Sequence, residues 1–460
     1  MDSTPSLRQR IYEMLMESQY WLPEQMLAYQ RSQLAQLLRH AKATVPFYKT
    51  RLDPVFKKNG EIDWDRWEDI PILKRHHLVE DRDCMLANQL PPGHGKIVEL
   101  FSSGSTAAPV VASHNSLVKW VSRAAVHRSH RWHDLDWSQN LVVWRGNDEL
   151  AKWPDGAIKG SWAPNWLDPG RRGKSFFINR FATVDQVMEF ILRKRAKHLM
   201  GRPQSLQSLA LLAEQSGIRI KLDSVTTFGT DPTHDECSDL SRVFGAKIIS
   251  NYSSEESHKI GISCETGRHY HLNVELNFVE LLDDEEKQCQ IGQPGRVIIT
   301  SLFNTAQPLI RYEQGDLAIR GKNCSCGKTL PVLQEVSGRI THLFHLPGGR
   351  KIAPLLEDPK FNASFGAKIW QLVQTAPLAV ELRYVQAEPG TAVNTAYAES
   401  IIRRKVHQDV QITFVRLATT PLTAAGKFIQ YKSELQNHSG TSGAAESMPQ
   451  PANSVGKSNG

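Results

Sequence analysis

Apolar and aromatic residues recur every three or four positions between residues 6 and 44, at Ile11, Met14, Leu15, Met26, Leu27, Leu34, Leu37 and Leu38. That spacing is the stripe of an amphipathic helix, and Pro46 ends it. Ile70-Pro71-Ile72-Leu73 reads as a short extended piece entering another helix, and Val98-Glu99-Leu100-Phe101 as a strand. From 117 to 300 the periodicity alternates. Asn140–Trp144, His198–Met200, Ser224–Phe228 and Ala246–Ser250 have strand character, separated by helical stretches at Asp185–Arg195, Gln204–Gln215 and about 235 to 244. Strands alternating with helices predict a parallel α/β sheet, whose ligands gather at the carboxyl ends of the strands. After about 270 the helical period fades, and Asn277–Leu282 and Gly295–Thr300 suggest an antiparallel β subdomain over about 270–338. Gly338-Arg339 precedes a change of composition, the expected hinge into a small α+β domain spanning 339–437. Residues 438–460 are Gly, Ser, Ala, Asn and Pro without periodicity and read as a disordered tail.

Composition narrows the class. A chain of 460 residues suggests two or three domains, and 40% hydrophobic with 22% charged residues is the balance of a soluble globular protein. No apolar run approaches the roughly 18 to 20 residues that a membrane span needs. The N-terminal residues carry acidic groups and lack a signal-peptide core, so a cytoplasmic protein is expected. The net charge of +7 is spread along the chain with no arginine-rich block, which argues against a nucleic-acid partner. Six cysteines without a secretory signal argue against a disulfide framework.

Four stretches carry candidate chemistry. Ser102-Ser103-Gly104-Ser105-Thr106 follows a strand and can wrap backbone N–H groups and hydroxyls around a phosphate, although no Gly-Lys-Ser/Thr makes it a Walker loop. Gly229-Thr230-Asp231 and Tyr252-Ser253-Ser254-Glu255-Glu256 each close a strand, where ligands of such sheets collect. Leu309–Asp316 ends in Gly-Asp, expected as a tight turn presenting one carboxylate to a vicinal diol such as that of a ribose. Cys324-Ser325-Cys326 forms a Gly-flanked pair, with Cys264, His269 and His271 upstream. Cys264, His271, Cys324 and Cys326 would give zinc a closed N/S set, with His269 as the competing ligand.

In register, these elements resemble the adenylate-forming superfamily of acyl-CoA synthetases, most closely its phenylacetate-CoA ligase-like branch, from the N-terminal helices, with Val45-Pro46-Phe47-Tyr48, to Lys427. The resemblance implies a large α/β adenylation domain over residues 1–338 and a small mobile C-terminal domain. It also implies an enzyme that uses ATP and Mg2+ to turn a carboxylic acid into an acyl-adenylate and passes the acyl group to coenzyme A. By the same resemblance Ser102 to Thr106 hold the ATP phosphates, and Gly229, Thr230 and Asp231 form the adenine-side turn. Tyr252 introduces an element in which Glu256, or in another register Glu255, coordinates magnesium. Tyr312 and Asp316 belong to the ribose element, Arg339 is the arginine before the hinge, and Lys427 is the catalytic lysine. Relatives carry Cys/His/Cys/Cys at the zinc positions and often dimerise through basic N-terminal helices. Two departures stand out: Ala107-Ala108 replaces the usual Gly-Lys of the phosphate loop, and Thr341 occupies the hinge position. Two alternatives follow: an adenylating enzyme whose acceptor is an amine or a carrier-protein thiol, and an inactive zinc-stabilised nucleotide-binding homologue.

Overall fold

Pro23 divides the N-terminal helical stripe into two helices, α1 (Leu7–Ser18) and α2 (Pro23–Thr44), where the apolar pattern alone predicts one. Proline lacks an N–H, which costs nothing in a first helical turn, so the chain turns at 19–22 and restarts there. The computed structural model describes residues 5–101, 110–146, 149–229, 231–232, 234–267, 269–339, 344–349, 351–352, 354, 356, 361, 365–386, 390, 392–421 and 429–435. Ser102 to Ala108, Thr230, Thr341, Lys427 and the tail therefore lie outside the described residues, and of Arg339 only the backbone is described.

After α3 (Arg75–Glu80), a two-stranded antiparallel ribbon forms from β1 (Ile97–Phe101) and β2 (Val111–Asn115) and leads into α4 (Ser116–Trp132), capped by the Asn115 side chain. The chain then alternates: β3 (Asn140–Trp144), β4 (Ala157–Ser161), β5 (Lys174–Ile178), α5 (Val184–Arg193), β6 (Ala196–Gly201), α6 (Pro203–Ser216), β7 (Ser224–Thr227), α7 (His234–Phe244) and β8 (Lys247–Ser254). Strands β5, β3, β6, β7 and β8 are parallel neighbours, and Val142, Leu199 and Val225 bury against Val187, Phe190, Leu206 and Leu240 of the covering helices.

The later strands are β9 (His258–Ser263), β10 (Tyr270–Leu272), β11 (Asn277–Leu282), β12 (Pro294–Ser301), β13 (Tyr312–Arg320) and β14 (Val332–Arg339), and all pair antiparallel. They do not form a sheet of their own. Strand β8 pairs parallel with β7 on one side and antiparallel with β9 on the other, so one twelve-stranded sheet runs through both halves. Hydrophobic residues of its antiparallel part, among them Ile260, Ile262, Val297 and Ile299, pack against Met26 of α2 and Trp132 of α4. Two buried ion pairs fasten the layers, Arg128 of α4 with Glu275 and Arg311 with Glu280 of β11.

A smaller C-terminal sheet follows. After the two-residue strands β15 (Phe344–His345) and β16 (Lys351–Ile352) come β17 (Ala367–Ala376), β18 (Ala379–Gln386), α8 (Thr395–Lys405), β19 (Gln411–Arg416) and β20 (Tyr431–Ser433). The sheet order is β19-β18-β17-β20, and Phe361, Phe365, Trp370, Leu372, Ile401 and Ile402 fill a separate core. Among the described residues no helix is long and apolar enough to cross a membrane.

Candidate active site

A cleft of about 2850 Å3 opens at the carboxyl edge of the parallel strands. It exceeds the roughly 300–1,000 Å3 typical for one small ligand. Residues from α4, from the ends of β3 and β7, from β8, β9 and β13, and from Trp370 and Tyr431 of the small sheet line it. Gly229, Asp231, Tyr252, Glu255, Glu256 and Asp316, all singled out from sequence, meet there.

Asp316 does not sit in a turn, as the Gly-Asp pair predicts. It lies within β13, where Glu313 pairs with Ile298 but Leu317 already pairs with Arg296, so the strand carries extra residues against β12. The register also shifts against β14, where Asp316 lies opposite Arg339 and Ala318 opposite Val336. Gly315, with φ +82°, takes the left-handed conformation such a bulge requires, and the bulge re-aims the next side chain. Tyr252 donates its phenol hydrogen to Asp316 Oδ2 at 2.8 Å. The two strands are four steps apart in the sheet. In a flat sheet that is about 19 Å at the usual strand spacing, so the sheet must curl for them to touch. Burial, then the charge of Asp316 and this hydrogen bond, raise the Tyr252 pKa well above its ordinary value and keep it a donor. On the other side of Tyr252, Tyr270 donates to Asp231 Oδ1, and the two tyrosine rings meet edge to face at 6.5 Å. Gly229, at φ +90°, lets the chain leave β7 without a side chain in the cleft.

The two adjacent glutamates differ. Glu256 is 4% exposed and faces Arg75 of α3 at 3.6 Å, too far for a hydrogen bond. Glu255 is exposed, and its carbonyl accepts a 2.8 Å bond from Nε2 of His114. The Asn304 amide, 3.2 Å from His114 Nδ1, fixes that tautomer, and burial holds the imidazole neutral with its pKa pulled down to about 4. His114 carries no sequence signal beyond its place at the end of a strand.

Tyr312 does not join the cleft. It packs with Leu73, Leu78, Met85, Val110 and Leu309, and its neighbour Arg311 donates to the carbonyls of Glu68 and Ile70 while pairing with Glu280. Trp120, Trp144 and Phe228 line the cleft, whereas Trp132 is buried beneath Arg128 and Lys328.

Cys264, His271, Cys324 and Cys326 converge with their ligand atoms all within 4.8 Å of one another. The Cys264 and Cys324 sulfurs are 3.7 Å apart, far beyond a disulfide. Tetrahedral zinc with bonds of about 2.3 Å would hold two sulfurs about 3.8 Å apart, so the spacing fits the metal. His271 Nε2 is 3.2 Å from Cys326 Sγ, and its Nδ1 faces the Leu330 carbonyl at 3.4 Å, a partner that would leave Nε2 for a cation. His269 Nε2 also approaches Cys324 Sγ, at 3.0 Å. The cluster ties β9 and β10 to the loop between β13 and β14, away from the cleft lining.

No family model and no curated protein matches the chain. Solved structures do. The 2-hydroxyisobutyryl-CoA ligase in its postadenylation state with an acyl-AMP aligns over 94% of both chains at a TM-score of 0.69 and 19% identity. This chain has their adenylate-forming fold. An anthranilate CoA ligase bound to anthranoyl-AMP aligns over 78% of this chain and 76% of its own, with a TM-score of 0.53 and 14% identity. An amide bond synthetase from Marinactinospora thermotolerans aligns over 72% and 66%, with a TM-score of 0.50 and 17% identity.

Proposed function

We propose that the chain activates a carboxylic acid with ATP and transfers the acyl group to the thiol of coenzyme A, as an acid-CoA ligase of the phenylacetate-CoA ligase-like branch. The observation that carries this reading is Asp316, tipped by a bulge into a cleft of this fold and held there by Tyr252. A carboxylate with one oxygen oriented by a phenol offers its remaining lone pairs to two neighbouring hydroxyls, which is what a ribose presents.

In the first half-reaction a carboxylate oxygen of the acid attacks the α-phosphorus of ATP and pyrophosphate leaves. Asp316 would bind the ribose, Gly229, Thr230 and Asp231 would border the adenine, and Ser102, Ser103, Gly104, Ser105 and Thr106 would hold the phosphates. Lys427 and Arg339 would approach from the C-terminal side, where a lysine offsets the charge that builds on the α-phosphate. Glu256 suits magnesium, because no described residue hydrogen-bonds its oxygens and its cationic neighbour stands at 3.6 Å. When bound, magnesium would neutralise phosphate charge. In the second half-reaction the thiol sulfur attacks the acyl carbon, AMP departs with its phosphate oxygen, and the thiol proton passes to solvent. Zinc on Cys264, His271, Cys324 and Cys326 would be structural, bracing the strand that carries Asp316.

Pyrophosphate release from ATP across a panel of carboxylic acids, with and without coenzyme A, tests the reading. It expects acid-dependent release and an acyl-CoA product. No release with any acid, together with no ATP binding by calorimetry, overturns it. An adenylate that forms no thioester but acylates an amine would favour the second reading, supported by the likeness to the amide bond synthetase.

A further inference from the structure

Helix α4 presents Lys119, Arg123, His127 and His130 to the cleft from one face, at spacings of three and four residues. Arg123 is held on two sides. Its Nε donates to His127 Nε2 at 3.3 Å, and its Nη2 donates to the Trp162 carbonyl at 3.2 Å. Both partners are neutral, since burial pulls the His127 pKa down to about 3. Nη1 has no partner among the described residues, and no described carboxylate pairs with the guanidinium. Arg123 keeps contact with solvent through the open cleft, and partial desolvation by the cleft wall lowers its pKa.

The fully buried guanidinium groups Arg128 and Arg311 are treated differently. Arg128, five residues on, places Nη1 and Nη2 on the two oxygens of Glu275, and Arg311 is matched with Glu280. Arg123 instead stands at the open cleft with no described carboxylate beside it, where a ligand can supply the counter-charge through a charge-assisted contact. The surroundings suit a small organic anion. Trp120, Trp162 and Trp166 line the same wall, and Trp137 Nε1 donates to His130 Nδ1 at 3.1 Å, which places the His130 proton on the other ring nitrogen.

We propose that Arg123 binds a second carboxylate on the acid substrate, so that the substrate class is a dicarboxylic acid, activated at one end and anchored by Arg123 at the other. This rests on the acid-activating reading given above.

The test is calorimetric titration of the full chain with paired probes: isophthalate and terephthalate against benzoate, and succinate and glutarate against butyrate. At least one dianion should bind about ten- to a hundredfold tighter than its monoanion, the range of one charge-assisted contact. The preference should shrink with added salt, vanish in Arg123→Gln and partly persist in Arg123→Lys. No dianion preference in the unmodified chain, or a preference that survives Arg123→Gln, overturns the proposal. Pyrophosphate release with the same panel separates the two readings. Arg123-dependent dianion binding without release supports this site and counts against the ligase, whereas release from monoacids alone supports the ligase and overturns the role of Arg123.

Discussion

Tyr252 on β8 and Asp316 on β13 are joined by a 2.8 Å hydrogen bond that spans four steps of a curled sheet. The phenol orients the carboxylate before any ligand arrives. Asp316→Ala should therefore raise the KM for ATP at least about tenfold, and Tyr252→Phe about three- to tenfold, as expected for charge-assisted hydrogen bonds. The pair should be strongly non-additive in a double-mutant cycle, because Tyr252 acts through Asp316. ATP affinity measured by calorimetry that is unchanged in Asp316→Ala would remove the ribose anchor.

The four-residue Cys/His cluster should hold about one zinc per chain in metal analysis of purified protein. Cys326→Ser and His271→Ala should lose the metal and lower the thermal midpoint by at least about 5 °C, since a structural site couples metal binding to folding. His269→Ala should keep it. Retention in His271→Ala with loss in His269→Ala would reassign the nitrogen ligand.

Breaking the buried pair under α4 should be expensive. Glu275→Gln leaves Arg128 enclosed without its counter-charge and should cost about 3–5 kcal/mol in denaturant unfolding. A loss below about 1 kcal/mol would mean that Asn273, which accepts from Arg128 Nη2 at 2.8 Å, suffices alone.

Acid should destabilise the fold before most carboxylates titrate. Burial lowers the pKa of His114 to about 4 and those of His127 and His258 to about 3. The unfolded chain takes up these protons near pH 6.5, whereas the folded chain resists them until pH 4 to 3. Stability is thus present above about pH 6.5 and lost as pH falls through that window. With three protons in play the slope approaches about 4 kcal/mol per pH unit. Unfolding midpoints at pH 7.5 and 5.0 should differ clearly, and His127→Asn should flatten the profile.

Periodicity located the alternating strands and helices because each buries one face, and a buried face leaves its period in the sequence. It missed the break at Pro23, where a helix-compatible proline hides in an unbroken apolar stripe. It also placed the antiparallel strands apart, because strand composition carries no record of which neighbour a strand pairs with. Glu256 and Asp316 were legible from short motifs, and the structure brings them to one cleft. Tyr312 belongs to the same short motif yet packs inside, since the bulge at Gly315 breaks the alternation that would otherwise put residues 312 and 316 on one face. Arg123, His114 and Tyr270 were not legible, because their importance lies in a missing counter-charge or in a partner more than 30 residues away.

If Arg123 holds a carboxylate as proposed, the Arg128–Glu275 pair bears on substrate choice. It pins α4, and with it Arg123, to the half of the molecule whose ladder of strands also carries Asp316. Under the proposed reading, both anchors would thus be carried by elements packed together in one half of the molecule. For a dicarboxylic acid bound as proposed, such a frame would act as a ruler, favouring one chain length over acids a carbon or two longer or shorter.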